Sequence, residues 1–118
     1  MTAPAPLATD DAAAFAAALP RAGAVLGLDL GERTVGLALS DLRRQIATPL
    51  HTLRRVKFTQ DAAAILQLAG DRGAVGLVLG LPRNMDGSEG PRAQSTRAFA
   101  RNLGRLAPLP ILFWDERL

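Results

Sequence analysis

The stretch AVLGLDLGERTVGLALS, residues 24–40, constrains the fold more than any other part of the chain. Ala24 to Leu30 is an apolar run interrupted by a single carboxylate, and Thr34 to Ser40 alternates Val35, Leu37 and Leu39 with Gly36, Ala38 and Ser40. A side-chain period of two specifies strand, and the glycine-containing turn Gly31-Glu32-Arg33 between the runs predicts a β-hairpin. ATPLHTL (47–53) predicts a looser third strand, with Pro49 marking an edge or a bulge because it donates no hydrogen bond. From Thr59 or Gln60 to Asp71, apolar Ala63, Ile65, Leu66 and Leu68 recur at helical spacing, closed by Gly70 and Gly73. AVGLVLG (74–80) comes next as a buried strand and LPRNMDGSEGPR as a loop, then a helix over 92–106 and a last strand from Pro110 to Trp114. The order βββαβαβ implies an α/β fold, a mixed sheet with helices packed against it.

The chain's 118 residues suffice for one small domain with a single core. No apolar run approaches the ~20 residues of a membrane-spanning helix, so no membrane association is expected. The absence of cysteine excludes disulfides and thiolate metal sites and fits a reducing cytoplasm. Fourteen basic against 11 acidic residues leave a net charge of +3, and 13 of the 14 are arginine. Guanidinium takes phosphate bidentately, which makes nucleic acid a plausible partner. Residues 1–22, rich in Ala and Pro, differ in composition from the rest of the chain. Asp10 is placed to cap a short helix over 11–19 that Pro20 ends. Acids precede the alanines, unlike the basic start of an export signal, so 1–22 is read as an N-terminal extension to a domain over 23–118.

Three features carry chemistry. Asp29 interrupts its strand's apolar run and shares a face with Val25 and Gly27. A carboxylate in a sheet requires a hydrogen-bond partner, a cation or a solvent-facing cleft, and the turn over Gly31 to Arg33 would also serve as partner. The final strand supplies two acids on opposite faces: Asp115 with Phe113 and Arg117, Glu116 with Leu112 and Trp114. If that strand lies beside the first, one of the two acids joins Asp29 in a carboxylate pair suited to Mg²⁺ or Mn²⁺, and alternation does not choose which. Two such ions ~3.5–4 Å apart would stabilise both oxygens of a phosphodiester hydrolysis. The loop GLPRNMDGSEGPR offers Arg83 and Arg92 to phosphates and Asn84, Asp86, Ser88 and Glu89 as polar contacts, at the strand end where open α/β sheets place ligands. An ordinary solvated loop has the same composition. Arg97, Arg101 and Arg105 share one helix face, and Arg43, Arg44, Arg54, Arg55 and Lys57 cluster about the third strand. His51 has no partner nearby in sequence.

Taken together, GLDLGERTVGLALSD (27–41), GLPRNMDGSEGPRA (80–93) and FWDERL (113–118) resemble the signature blocks of the YqgF family, also called RuvX or Holliday-junction-resolvase-like proteins, in the ribonuclease H-like superfamily. The resemblance implies a metal-dependent nuclease of the bacterial cytoplasm that processes the 5′ end of pre-16S rRNA. It also implies, in some members, resolution of branched DNA. Asp29 matches the family's first catalytic acid and Glu116 the acid of the last-strand motif, with Asp115 adjacent, so Asp29 and Glu116 become the metal ligands. Arg33, Arg83, Asn84 and Arg92 are the substrate-binding candidates. The family pattern continues with a further helix and carboxylate, so 23–118 is expected to be C-terminally incomplete. A binding module without catalysis is the alternative, an ATP-binding relative of actin a more distant one, and oligomerisation is left open.

Overall fold

The computed structural model describes residues 7–117. It contains β1 (Ala8–Thr9), α1 (Ala12–Ala18), β2 (Ala24–Leu30), β3 (Thr34–Ser40), β4 (Ala47–Arg54), α2 (Phe58–Asp71), β5 (Ala74–Leu81), α3 (Pro91–Gly104) and β6 (Ile111–Asp115). The expected βββαβαβ order is β2 to β6. The six strands form one sheet in the order β1-β6-β5-β2-β3-β4. β2, β3 and β4 run antiparallel, whereas β5 lies parallel to both β2 and β6.

Local chemistry accounts for most boundaries. β4 is the sheet edge, the place in a sheet where proline is tolerated. Its register against β3 shifts between Leu37 and Ala38, the bulge that the proline suggested. α2 ends before Gly73, whose φ of +64° reverses the chain at little cost to glycine. α3 begins one residue earlier than expected because Pro91 fits the first helical turn, where its missing N–H would have no partner.

The two faces of the sheet are covered unequally. Leu26, Leu28, Val35, Leu37, Leu77, Leu79, Leu81, Ile111 and Phe113 point to the side where α2 and α3 pack, and form the main core with Ile65, Phe99 and Leu103. Phe58 and Phe99 meet edge to face there at 5.1 Å. Each of the fully buried Leu and Ile side chains contributes about 1.5–3 kcal/mol by leaving water. The other face carries Val25 and Leu112, covered by Phe15 of α1 in a second, smaller cluster.

The alanine-rich start is therefore built into the sheet. β1 pairs with β6 through Ala8↔Ile111 and Thr9↔Leu112, and Asp11, one residue later than the expected cap, accepts from the amides of Ala13 and Ala14. Arg44, in the β3–β4 turn, fastens the return of this segment by donating to the carbonyls of Gly23 and Pro20 at 2.9 and 2.6 Å. The first six residues of the extension lie outside the described residues.

Candidate active site

β2 delivers Asp29 near its C-terminal end, on the face opposite the main core, where the side chain is exposed. β6 runs parallel and ends at Asp115, with Glu116 continuing the ladder by donating its N–H to the Leu81 carbonyl at 3.1 Å. The two acid-bearing strands are not the neighbours that the sequence had allowed them to be. β5 lies between them, because the αβ unit that ends in β5 docks it directly on β2.

The acids meet nonetheless, and Gly80 is the reason. Glu116 lies on Asp29's face of the sheet and folds its carboxyl back over Gly80, so closely that a Cβ at position 80 would collide with Glu116 Oε1. The Glu116 carboxyl is pushed above its ordinary value first by desolvation, then by the negative charge of Asp29, with a hydrogen bond to Asp29 adding to the rise. Arg92, in the first turn of α3, partly offsets this with its positive charge. Two carboxyls sharing one position is the signature of a site with excess negative charge.

Asp115, offered beside Glu116 as a catalytic candidate, points away from Asp29. Strand alternation turns it to the helix face, where it accepts from Arg117 N, Nε and Nη2 and lies 3.8 Å from Arg83 Nη1. Those contacts hold its carboxyl down at about 2, with the Arg117 hydrogen bond as the main cause. Arg83 is likewise committed. It pairs with Asp10 of the N-terminal segment and with Glu89 at 3.5 Å. Arg97 joins the same network, bound to both Asp10 and Glu89 and lying 4.7 Å from the centre of the Phe113 ring. Asn84 closes its own loop through Ser88, as donor from Nδ2 to the hydroxyl and from its N–H to the carbonyl. Arg83 and Asn84 thus shape the 82–90 loop from within rather than facing Asp29. Arg33 is exposed in the hairpin turn and His51 is exposed on β4.

Among the described residues no group of three or more His, Asp or Glu side chains gathers for a metal. The pair Asp29 and Glu116 does fit a hard divalent cation. It offers two carboxylates held together against their repulsion, and Mg²⁺ takes one or two protein carboxylates, with water and phosphate completing its shell. The sequence offered Gly80 only as one of several loop-flanking glycines and Arg55 only as one of a basic cluster; the structure puts Gly80 beneath the Glu116 carboxyl and Arg55 in a cleft that Arg92 also lines. The signal for the first was available, since Gly76 and Gly80 put two absent side chains on one face of a buried strand.

A family model described as "RuvX: Holliday junction resolvase" matches residues 23–118. A protein of Paracoccus denitrificans (strain Pd 1222) named "Putative pre-16S rRNA nuclease" is 72% identical over 104 residues, which are 88% of this chain and 66% of that protein. One of the same name from Cereibacter sphaeroides (strain ATCC 17025) is 68% identical over 104 residues, covering 88% of this chain and 65% of its own length. The chain thus spans just under two thirds of these relatives. Among solved structures, Thermus thermophilus RuvC in complex with Holliday junction substrate superposes with a TM-score of 0.57 at 13% identity, over 80% of this chain and 64% of that one. That likeness shows the fold, a ribonuclease H-like mixed sheet.

Proposed function

The chain belongs to the RuvX family, and on that premise we propose that it acts as a divalent-metal-dependent endonuclease that hydrolyses phosphodiester bonds at the 5′ end of pre-16S rRNA in the cytoplasm. The names of its close relatives support the substrate. The observation that carries the chemistry is the convergence of Asp29 and Glu116 over Gly80.

Asp29 and Glu116 would hold Mg²⁺ or Mn²⁺. A bound divalent ion supplies Lewis-acid polarisation of the phosphodiester and an activated water. The chain's own part is to hold the two carboxylates in register from strands two places apart and to keep the site open to solvent on one side. Arg92 sets a positive charge beside them, where it attracts the phosphate and limits the repulsion that the pair would otherwise place on it.

Incubation with Mn²⁺ and a 5′-extended 16S precursor RNA tests the reading, with Asp29→Asn alongside. Wild type is expected to cut. The variant should be slower by on the order of 10²–10³-fold, the loss typical of removing one preorganised charge-stabilising group. A four-way DNA junction cut in preference to the RNA would favour the family's resolvase description instead. Cleavage of neither, or cleavage unaffected by Asp29→Asn, would sink the mechanism.

A further inference from the structure

Immediately past Asp29, Leu30, Gly31 and Glu32 line a cleft of about 320 Å³ that is also lined by Arg92 and Ser95 of α3 and by Arg55, just beyond β4. That volume lies at the lower end of the range for sites that hold small organic groups, about 300–1,000 Å³, so a sugar-phosphate unit has room there. Arg55 is held in place from three directions. Its Nη1 donates to the Gly31 carbonyl at 2.6 Å, its backbone N–H donates to the Arg33 carbonyl at 2.8 Å, and its guanidinium lies 5.6 Å from the centre of the Phe99 ring.

Among the described residues no acid pairs with this ordered guanidinium. The ion pairs among the described residues all belong to Arg83, Arg97 and Arg117. Among the described residues the one buried side-chain nitrogen without a hydrogen bond is Arg83 Nε, so the remaining donors of Arg55 are either bonded or solvent-accessible. Arg92 makes no side-chain hydrogen bond within the described residues, and Glu32 is the only acid lining the cleft. Two arginines against one glutamate leave the cleft at +1, which matches the single charge of a phosphodiester. An arginine already fixed by a carbonyl and a ring gives up little further freedom on taking a phosphate through its remaining donors.

We infer that this cleft is a phosphate subsite, in which Arg55 and Arg92 clamp the nucleic-acid backbone beyond the group held at Asp29 and Glu116. The inference rests on the nuclease reading for the position of the scissile bond. Its own content is that Arg55, not Arg83, is the arginine that the fold presents to the strand.

Fluorescence anisotropy of labelled single-stranded RNA and DNA of one sequence, in EDTA and over a salt series, tests it apart from cleavage. Arg55→Ala should weaken binding about tenfold and lower the salt slope by about 0.7, the share of one single-strand phosphate contact. Arg55→Lys should recover the slope and only part of the affinity, since the charge returns without the fork. Arg92→Ala probes the same cleft if Arg55→Ala fails to fold, and Arg72→Ala, at the far end of β5, should match wild type. A loss confined to RNA, to DNA or shared by both upholds the subsite and says which strand it takes. Unchanged affinity and slope in Arg55→Ala and Arg92→Ala overturns it, even if Asp29-dependent cleavage is intact. Arg55-dependent binding without any Mn²⁺-dependent cleavage leaves the subsite standing and removes the nuclease reading alone. Wild type that binds neither strand overturns both.

Discussion

Two adjacent acids at the end of β6 have opposite environments, and the difference is set by the pleat of the strand. Glu116 faces Asp29, where burial and like charge raise its pKa; Asp115 faces three guanidinium contacts that lower its own to about 2. The sequence showed that the two must point apart, but not which one meets Asp29, because that depends on the register of β2, β5 and β6 across the sheet. The acids around Arg97 allow a test at this scale. Asp10 and Glu89 are both held below their ordinary values, chiefly by hydrogen bonds from Arg97. A carboxylate with a depressed folded pKa adds stability above its ordinary pKa and loses it as pH falls through the folded value. Arg97→Gln should therefore lower the melting temperature by a few degrees at pH 6, and the gap from wild type should narrow below about pH 4.5, the ordinary value for Glu89. The part of the gap that persists at pH 2 reports the pH-independent packing of Arg97 on Phe113. Thermal melts across that range check it, and a gap of constant size would show that the ion pairs contribute nothing.

β5 shows how a strand can act through what it lacks. Its main-core face presents Leu77, Leu79 and Leu81, whereas its other face presents Gly76, Val78 and Gly80. At Gly76 a Cβ would lie 2.9 Å from Phe15 Cζ and from Leu19 Cδ2, so this glycine admits α1. At Gly80 the missing side chain leaves the lane by which Glu116 crosses to Asp29. The hairpin, the two long helices and the buried character of β5 were legible because each arises from a local period. The interposition of β5 between β2 and β6 was not, since strand order is decided by how the helical connections dock. Gly80→Ala tests the lane. The atom in its way is the end of a flexible side chain, so stability should change by no more than about 1 kcal/mol, while displacement of Glu116 should cost on the order of 10²-fold in activity, as a misplacement of about 1 Å can. Equal losses of stability and activity in urea titrations and cleavage assays would mean that Gly80 matters only for packing.

At the scale of the molecule, the sheet carries a thick core on one face and a thin one on the other, and the paired acids Asp29 and Glu116 stand on the thin side. That side is closed at one end by α1, whose Phe15 packs on Val25 and Leu112 beside an apolar groove of about 390 Å³ lined by Gly27, Ala38 and Val78. Nothing in the alanine-rich sequence distinguished this from a loose appendage: β1 is two residues long, and one phenylalanine among alanines sets no period. Yet the same segment brings Asp10 to Arg83 and Arg97, so its docking also fixes the loop that leads into α3. If the segment is integral, Phe15→Ala should cost about 3 kcal/mol, the lower end for truncating a buried aromatic, because the neighbouring groove lets the site relax. Urea unfolding measures that loss, and limited proteolysis locates it. Cleavage within 10–22 should begin under conditions where β2 to β6 remain protected, because α1 is held to the sheet mainly through this ring. A cost below about 1 kcal/mol, with no new cleavage, would mean that β1 pairing and the Asp10 ion pairs hold the segment without Phe15.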